Sequence, residues 1–140
     1  MAIERTLSLI KPDATIRNLS GSINKIIEEN GLKIIAQKRL KLTKNQAEAF
    51  YAEHKGKEFF EALVTSMIKA HIVAQVLEGE DAIATYRKLM GPTDPKKQTQ
   101  ETIRKQFGID YRQNSVHGSD SKESAVKEIT FFFSQLELVD

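Results

Sequence analysis

From Leu32 to Leu42 the chain alternates, with Leu32, Ile34, Ala36, Leu40 and Leu42 set between Lys33, Gln37, Arg39 and Lys41. A period of two puts the apolar groups on one side of an extended backbone, so the segment reads as a half-buried strand with a basic, solvated face. A second alternation runs from Arg5 to Lys11, Leu7 and Leu9 opposing Thr6, Ser8 and Ile10. It ends at Lys11-Pro12-Asp13, where proline removes a ladder donor. The nearly continuous apolar run Ile72–Leu77 fits an interior strand, and Ser115-Val116 a strand stub. Strands with dry faces need covering, and the intervening segments carry helical stripes. Ser20-Gly21 opens a helix with Ile23, Ile26 and Ile27, closed at Asn30-Gly31. Thr43 and Gln46 have capping-box spacing ahead of Ala47, Phe50, Tyr51 and His54. After a break at Lys55-Gly56-Lys57 comes a second stripe of Phe59, Phe60, Leu63, Val64, Met67 and Ile68. Glu80 to Met90 points Ile83, Tyr86 and Met90 inward. Ile103 and Phe107 mark a short helix, and Asp120-x-x-Glu123 starts a terminal one with Ala125, Ile129, Phe132 and Phe133 inside.

The resulting order is β-α-β, a helical hairpin, β-α, a loop and helix, then β-α. Its connections are too varied for a doubly wound parallel sheet. The pattern fits an α+β fold, a ferredoxin-like split β-α-β sandwich with a four-stranded antiparallel sheet and added helices. Nothing divides residues 1–140, so one domain is expected. The absence of cysteine excludes disulfides, thiolate metal sites and thiol nucleophiles together. The start Met-Ala-Ile-Glu-Arg-Thr has no apolar stretch behind a basic residue, and no apolar run nears the roughly 20 residues of a membrane span. A cytoplasmic protein without a membrane partner is expected. Its net charge of +2 suits small anions better than a nucleic acid.

Chemistry-bearing residues gather at the strand ends and around the Gly91 loop. Lys11 ends the first strand, Arg87 precedes the loop, Thr93 lies in it and Arg104 follows it. Two guanidiniums, an ammonium and a hydroxyl could converge on one polyphosphate. No G-x-x-x-x-G-K-[ST] loop and no protein-kinase signature occurs, so phosphoryl transfer would need another route. That route is suggested by Asn114-Ser115-Val116-His117-Gly118-Ser119-Asp120, where His117 follows a strand stub and precedes a helix start. Gly118 is expected to supply a positive φ and clear bulk beside the ring, with Ser119 and Asp120 ending the loop and capping the helix. A neutral imidazole among cations is a competent nucleophile near pH 7, although a bare His-Gly also suits an ordinary turn. His54 shares a stripe with Phe50 and Tyr51 and suits a packing role, while His71 has no ligand cluster nearby. His117, Asp13 and Asp120 lack metal-ligand spacing, so no protein-built metal site is expected.

Taken with Lys11-Pro12-Asp13, Gly91-x-Thr93-Asp94-Pro95, Phe50-Tyr51-x-Glu53-His54 and Thr102-Ile103-Arg104, the Asn114-x-x-His117-Gly118-Ser119-Asp120 segment resembles the nucleoside diphosphate kinase family over essentially the whole chain. The resemblance implies exchange of the γ-phosphate between ATP or other nucleoside triphosphates and nucleoside diphosphates, through a phosphohistidine on His117. It implies catalytic places for His117, Lys11, Tyr51, Glu128 and Ser119, with Nδ1 phosphorylated and Glu128 orienting the other ring nitrogen. Lys11, Arg87, Thr93, Arg104 and Asn114 would hold phosphates and sugar hydroxyls, and Phe59 would stack on the base. Mg²⁺ would arrive on the nucleotide, and the enzyme would be a homo-oligomer built from dimers, a tetramer or hexamer.

The chain departs from the family pattern in three places. Ala70-His71 replaces Gly-Pro, Gln100-Glu101 replaces Pro-Gly, and Tyr111 stands where a small apolar residue is usual. Glu101, three residues from Arg104, is expected to pair with it and compete with phosphate. Tyr111 either gives the base a second aromatic wall or faces solvent. Two rival readings are an RNA-binding sheet using the row Lys33, Arg39 and Lys41, and a silent family member serving assembly. The strands Thr6–Ile10 and Ile72–Leu77 carry no aromatic to stack a base, which argues against the first and against an obligatory nucleic-acid partner.

Overall fold

The computed structural model describes residues 2–97 and 101–139. Gln100 therefore lies outside the described residues. Four strands, β1 (Ile3–Ile10), β2 (Lys33–Leu40), β3 (Ile72–Glu80) and β4 (Val116–Gly118), form one antiparallel sheet in the order β2-β3-β1-β4. β1 and β2 both pair with β3 between them, and β3 and β4 both pair with β1. This is the split β-α-β arrangement of a ferredoxin-like fold.

The alternation in β1 decides which layer meets which face. Leu7 and Leu9, paired with Val76 and Ala74, join a core with Tyr51, Phe60, Val64, Met67, Ala125, Ile129 and Phe132. That face is covered by α3 (Lys44–Phe50), α4 (Phe60–Ile68) and α7 (Lys122–Phe132). Ile10, Val73 and Leu77 look the other way, onto Ile23 and Ile27 of α2 (Ser20–Glu29) and Ala82, Tyr86 and Met90 of α5 (Ala82–Met90). Thr6 and Ser8 also face α5 and are fully buried; the Ser8 hydroxyl is paid for by hydrogen bonds with Tyr86 Oη at 2.8 Å and Gln75 Nε2 at 3.3 Å.

Several expectations hold in detail. The Thr43–Gln46 capping box forms in both directions, and Asn30 caps α2 with Gly31 at φ 84° beyond it. Others need correction. β2 is not a clean alternation: its register with β3 shifts between Ile34 and Ala36, so Ile34 faces α2 while Ile35 and Ala36 turn to the opposite core. A bulge of this kind reverses the phase of everything after it, which period counting does not detect. Pro12 does more than end β1, because it is the first residue of a short helix, α1 (Pro12–Ile16), where its missing N–H has no helical role. Strand β3 runs to Glu80, and Asp81 at φ 46° makes the turn into α5 that the sequence placed at Glu80.

Candidate active site

His117 sits in the middle of β4, opposite Leu9 of β1, so its ring projects toward α3 and α7. The next residue explains why it can. A Cβ on Gly118 would lie 2.7 Å from Tyr86 Cδ2 and 2.7 Å from Met90 Cε, so β4 packs against α5 only because position 118 has no side chain. Gly118 is thus a close-approach glycine in a strand, not the positive-φ turn residue expected. The left-handed position is Ser115, at φ 74°.

On the other side of the imidazole, Nε2 donates to Glu128 Oε1 at 3.1 Å. Ser119 Oγ donates to the same oxygen at 2.8 Å and accepts the Leu7 N–H at 3.3 Å. Ser119 therefore ties the carboxylate to β1 and does not cap a helix. The cap of α7 is Ser121, whose hydroxyl accepts the Ser124 N–H at 3.0 Å. Asp120 instead accepts from the Ser124 hydroxyl, and that bond holds its carboxyl below the ordinary range. Because a carboxylate can only accept, the contact with Glu128 assigns the ring proton to Nε2 and leaves Nδ1 with its lone pair.

The opening above the ring is a cleft of about 290 Å³ whose walls include Lys11, Tyr51, Phe59, Arg87, Thr93, Arg104, Asn114, His117 and Glu128. Every nucleotide-binding residue expected from sequence is brought to this one place, and Ser119 lies directly behind Glu128. Lys11 is buried, with Nζ donating to Arg112 O at 2.8 Å and Asn114 Oδ1 at 3.0 Å. Burial pulls its amine down to about 8 against the opposing pull of Asp13, and Arg104 and Arg112 add to the fall. Asn114 is a junction, since its Nδ2 also donates to Thr93 O and Tyr111 O, each at 3.1 Å. Arg104 reaches Gly91 O and Val116 O, both at 2.9 Å, while burial lowers its pKa. Arg87 stays exposed on α5.

Arg104 is not paired with Glu101. That carboxylate lies 3.5 Å from Lys105 Nζ and is largely exposed, whereas α6 (Ile103–Phe107) turns Arg104 inward. Glu101 therefore does not compete with phosphate for the Arg104 guanidinium. The aromatic wall is partly as expected. Tyr51 is buried, and burial together with Glu128 raises its phenol well above the usual range. Its ring stands edge-on 6.5 Å from His117, and Phe50 does so at 5.6 Å. Phe59 is half-buried at the cleft wall, 5.3 Å from the ring of His54. Tyr111 is 56% exposed and also lines the cleft, beneath the Arg112 guanidinium at 5.7 Å. Arg112 and His54 are cleft residues that sequence reasoning missed. The Asp110 carboxylate, accepting the N–H groups of Arg112 and Gln113, is the turn signal that could have marked the first.

Among the described residues no group of three or more His, Asp or Glu could hold a metal ion, and no helix is long and apolar enough to cross a membrane.

Comparison with known proteins places the chain in a family and its fold among solved structures. Residues 4–138 match the family model described as nucleoside diphosphate kinase. The nucleoside diphosphate kinase of Granulibacter bethesdensis is 59% identical over 139 residues, covering 99% of each chain. That of Acidiphilium cryptum is 58% identical over the same span and coverage. Among solved structures, the Aquifex aeolicus nucleoside diphosphate kinase superposes with a TM-score of 0.93 at 46% identity, covering 99% of this chain and 100% of its own. A halophilic nucleoside diphosphate kinase from Halobacterium salinarum, in complex with CDP, has a TM-score of 0.94 at 39% identity, covering 99% and 93%.

Proposed function

The chain belongs to the nucleoside diphosphate kinase family and is a nucleoside-diphosphate kinase, and from that premise we propose that it works in two half-reactions through a phosphohistidine on His117. The observation that carries this reading is the pairing of His117 Nε2 with Glu128, which turns the Nδ1 lone pair to the cation-lined cleft. In the first half-reaction Nδ1 forms a bond to the γ-phosphorus of ATP. The bond from that phosphorus to the β–γ bridging oxygen breaks, its electron pair leaves with ADP, and the Nε2 proton stays on the ring. Glu128 stabilises the positive charge that develops on the imidazole, and Ser119 holds Glu128 in place. A second nucleoside diphosphate then enters the same cleft, and its terminal oxygen takes the phosphoryl group by the reverse displacement.

Phosphoryl transfer needs little covalent chemistry beyond the nucleophile, so positioning and charge supply most of the rate. Lys11, Arg87 and Arg104 meet the spreading negative charge, Thr93 and Asn114 hold phosphate and sugar oxygens, Tyr51 packs beside the histidine, and Phe59 offers a π-face that accepts any base. Enzymes of this family need a divalent cation. Mg²⁺ fits here as a passenger on the phosphates, because it keeps several waters and needs few protein carboxylates. Glu53 and Asp120, both lining the cleft, are those that would face its waters. Bound there, the ion would neutralise phosphate charge.

The reading extends to one catalytic domain over residues 1–140 and to a cytoplasmic homo-oligomer of dimers, a tetramer or hexamer. Supporting it are the family membership and the full-length likeness to the relatives. Initial velocities with ATP and a second nucleoside diphosphate test the mechanism. Parallel double-reciprocal lines, with ATP/ADP exchange in the absence of the second nucleotide, are expected. Intersecting lines without that exchange contradict a covalent intermediate.

A further inference from the structure

One buried carboxylate near the cleft has no part in the chemistry above. Asp13, in the first turn of α1, is 8% exposed, and both of its oxygens are engaged by one residue, Ser115. Oδ1 accepts the Ser115 N–H at 3.3 Å and Oδ2 accepts the Ser115 hydroxyl at 3.0 Å. The Lys11 N–H closes the clamp on Ser115 O at 2.8 Å. Arg17 braces it from behind, donating to Asp13 Oδ2 at 3.2 Å, Asp13 O at 2.8 Å and Phe107 O at 2.5 Å.

What the clamp holds is a residue in an unfavourable state. Ser115 is fully buried at φ 74°, a region that side chains other than glycine's seldom adopt unless surrounding bonds enforce it. Immediately before it stands Asn114, which joins Lys11, Thr93 and Tyr111 by three hydrogen bonds. His117, by contrast, is held independently, by pairing with Leu9 and by Glu128. We propose that Asp13, braced by Arg17, is a positioning residue that keeps Ser115 left-handed and thereby sets Asn114 at the nucleotide while leaving the imidazole alone. The inference rests on the reading of Asn114 as a nucleotide ligand.

This division makes the role separable from simple stability. Losing the clamp should weaken nucleotide binding yet spare attack by His117 on a donor that carries no nucleotide. Glycine at 115 should remove the need for the clamp, since positive φ costs it little. The test measures ADP affinity by calorimetry and the rate of His117 phosphorylation by phosphoramidate, for the parent, Asp13→Asn, Arg17→Gln, Asn114→Ala and Asp13→Asn with Ser115→Gly. Asp13→Asn, which loses an acceptor for the Ser115 clamp, is expected to bind ADP about tenfold more weakly, a change of about 1.4 kcal/mol. Arg17→Gln, a change at a partly exposed side chain, should move affinity the same way by less, with the thermal midpoint of each variant measured alongside. Phosphoramidate labelling should stay near the parent rate in both. The added Ser115→Gly should restore most of the lost affinity. The inference is overturned if both single variants bind ADP like the parent, if glycine at 115 rescues nothing, or if phosphoramidate labelling falls in step with ADP affinity. Parent-like ADP binding by Asn114→Ala would instead sink the ligand assignment and this inference with it. An unlabelled parent would count against the phosphohistidine route only, with the ADP measurements still deciding the role of Asp13.

Discussion

Lys11 shows how much one residue's surroundings determine. Its ammonium must meet phosphate, yet burial draws it down to about 8. In the free enzyme it therefore loses its charge as pH passes about 8, and kcat/KM for ATP should fall on the alkaline side with an apparent pKa near that value. An arriving phosphate favours the charged form, so the same limb in kcat should lie at higher pH. Lys11→Arg, which cannot deprotonate in that range, should flatten the limb in kcat/KM; a limb unchanged in this variant refutes the assignment. Linkage gives a second sign. The folded pKa lies below the ordinary 10.5, so the unfolded chain holds more protons between the two values and folding stability gains as pH rises through that window. At Glu128, replacement by glutamine keeps the shape but lets an amide face Nε2 and favours the wrong tautomer. It should lower kcat by roughly a hundredfold with ADP affinity unchanged, read by steady-state kinetics beside calorimetry. The two residues differ in legibility. Lys11 lies in a local Lys-Pro-Asp segment at a strand end, so its place at the rim could be read directly. Glu128 is 11 residues from His117 across a strand, a turn and a helix, and only the family resemblance pointed to it. Arg112 was marked only by the Asp110 turn before it, and the role of Asp13 depends on Ser115, 102 residues away.

Among the elements, β4 bears the nucleophile on three residues, and its seat is made by α5. Gly118→Ala would force a methyl group against the Tyr86 ring, which its own hydrogen bond to Ser8 keeps from yielding. Overpacking of this sort costs about 1–3 kcal/mol. The urea midpoint should fall with an unchanged m-value, and turnover should fall with it because His117 moves with the strand. A parent-like midpoint would show that β4 has slack. The elements that sequence located well are those whose signal is local: the capping box before α3, the Asn-Gly stop after α2, the stripes of α4 and α7. Those it misplaced depend on partners. The β2 bulge exists because Ile34 and Ile35 serve opposite cores, and α1 is tethered by bonds from Asp13 and Arg17 to Ser115 and Phe107 far along the chain.

For the molecule as a whole, the order of elements predicted the fold class, because split β-α-β connectivity leaves few ways to place four strands. It said nothing of how far loops from residues 11, 93 and 114 would converge, which is set by packing on both faces of the sheet. That convergence predicts strong linkage of folding to nucleotide. ADP at about 100 times its dissociation constant should add about 2.7 kcal/mol of stability. His117→Ala should show the same shift in thermal midpoint, since the phosphate ligands remain, while losing exchange activity; loss of the shift would mean that the imidazole is needed for binding. The central claim is tested most directly by mixing the enzyme with ATP labelled in its γ-phosphate, without acceptor, and following the protein-bound label. The account predicts one acid-labile, alkali-stable phosphoryl group on His117 Nδ1 that passes to added GDP at least as fast as steady-state turnover. A label on another residue, or one discharged more slowly than the enzyme turns over, contradicts it.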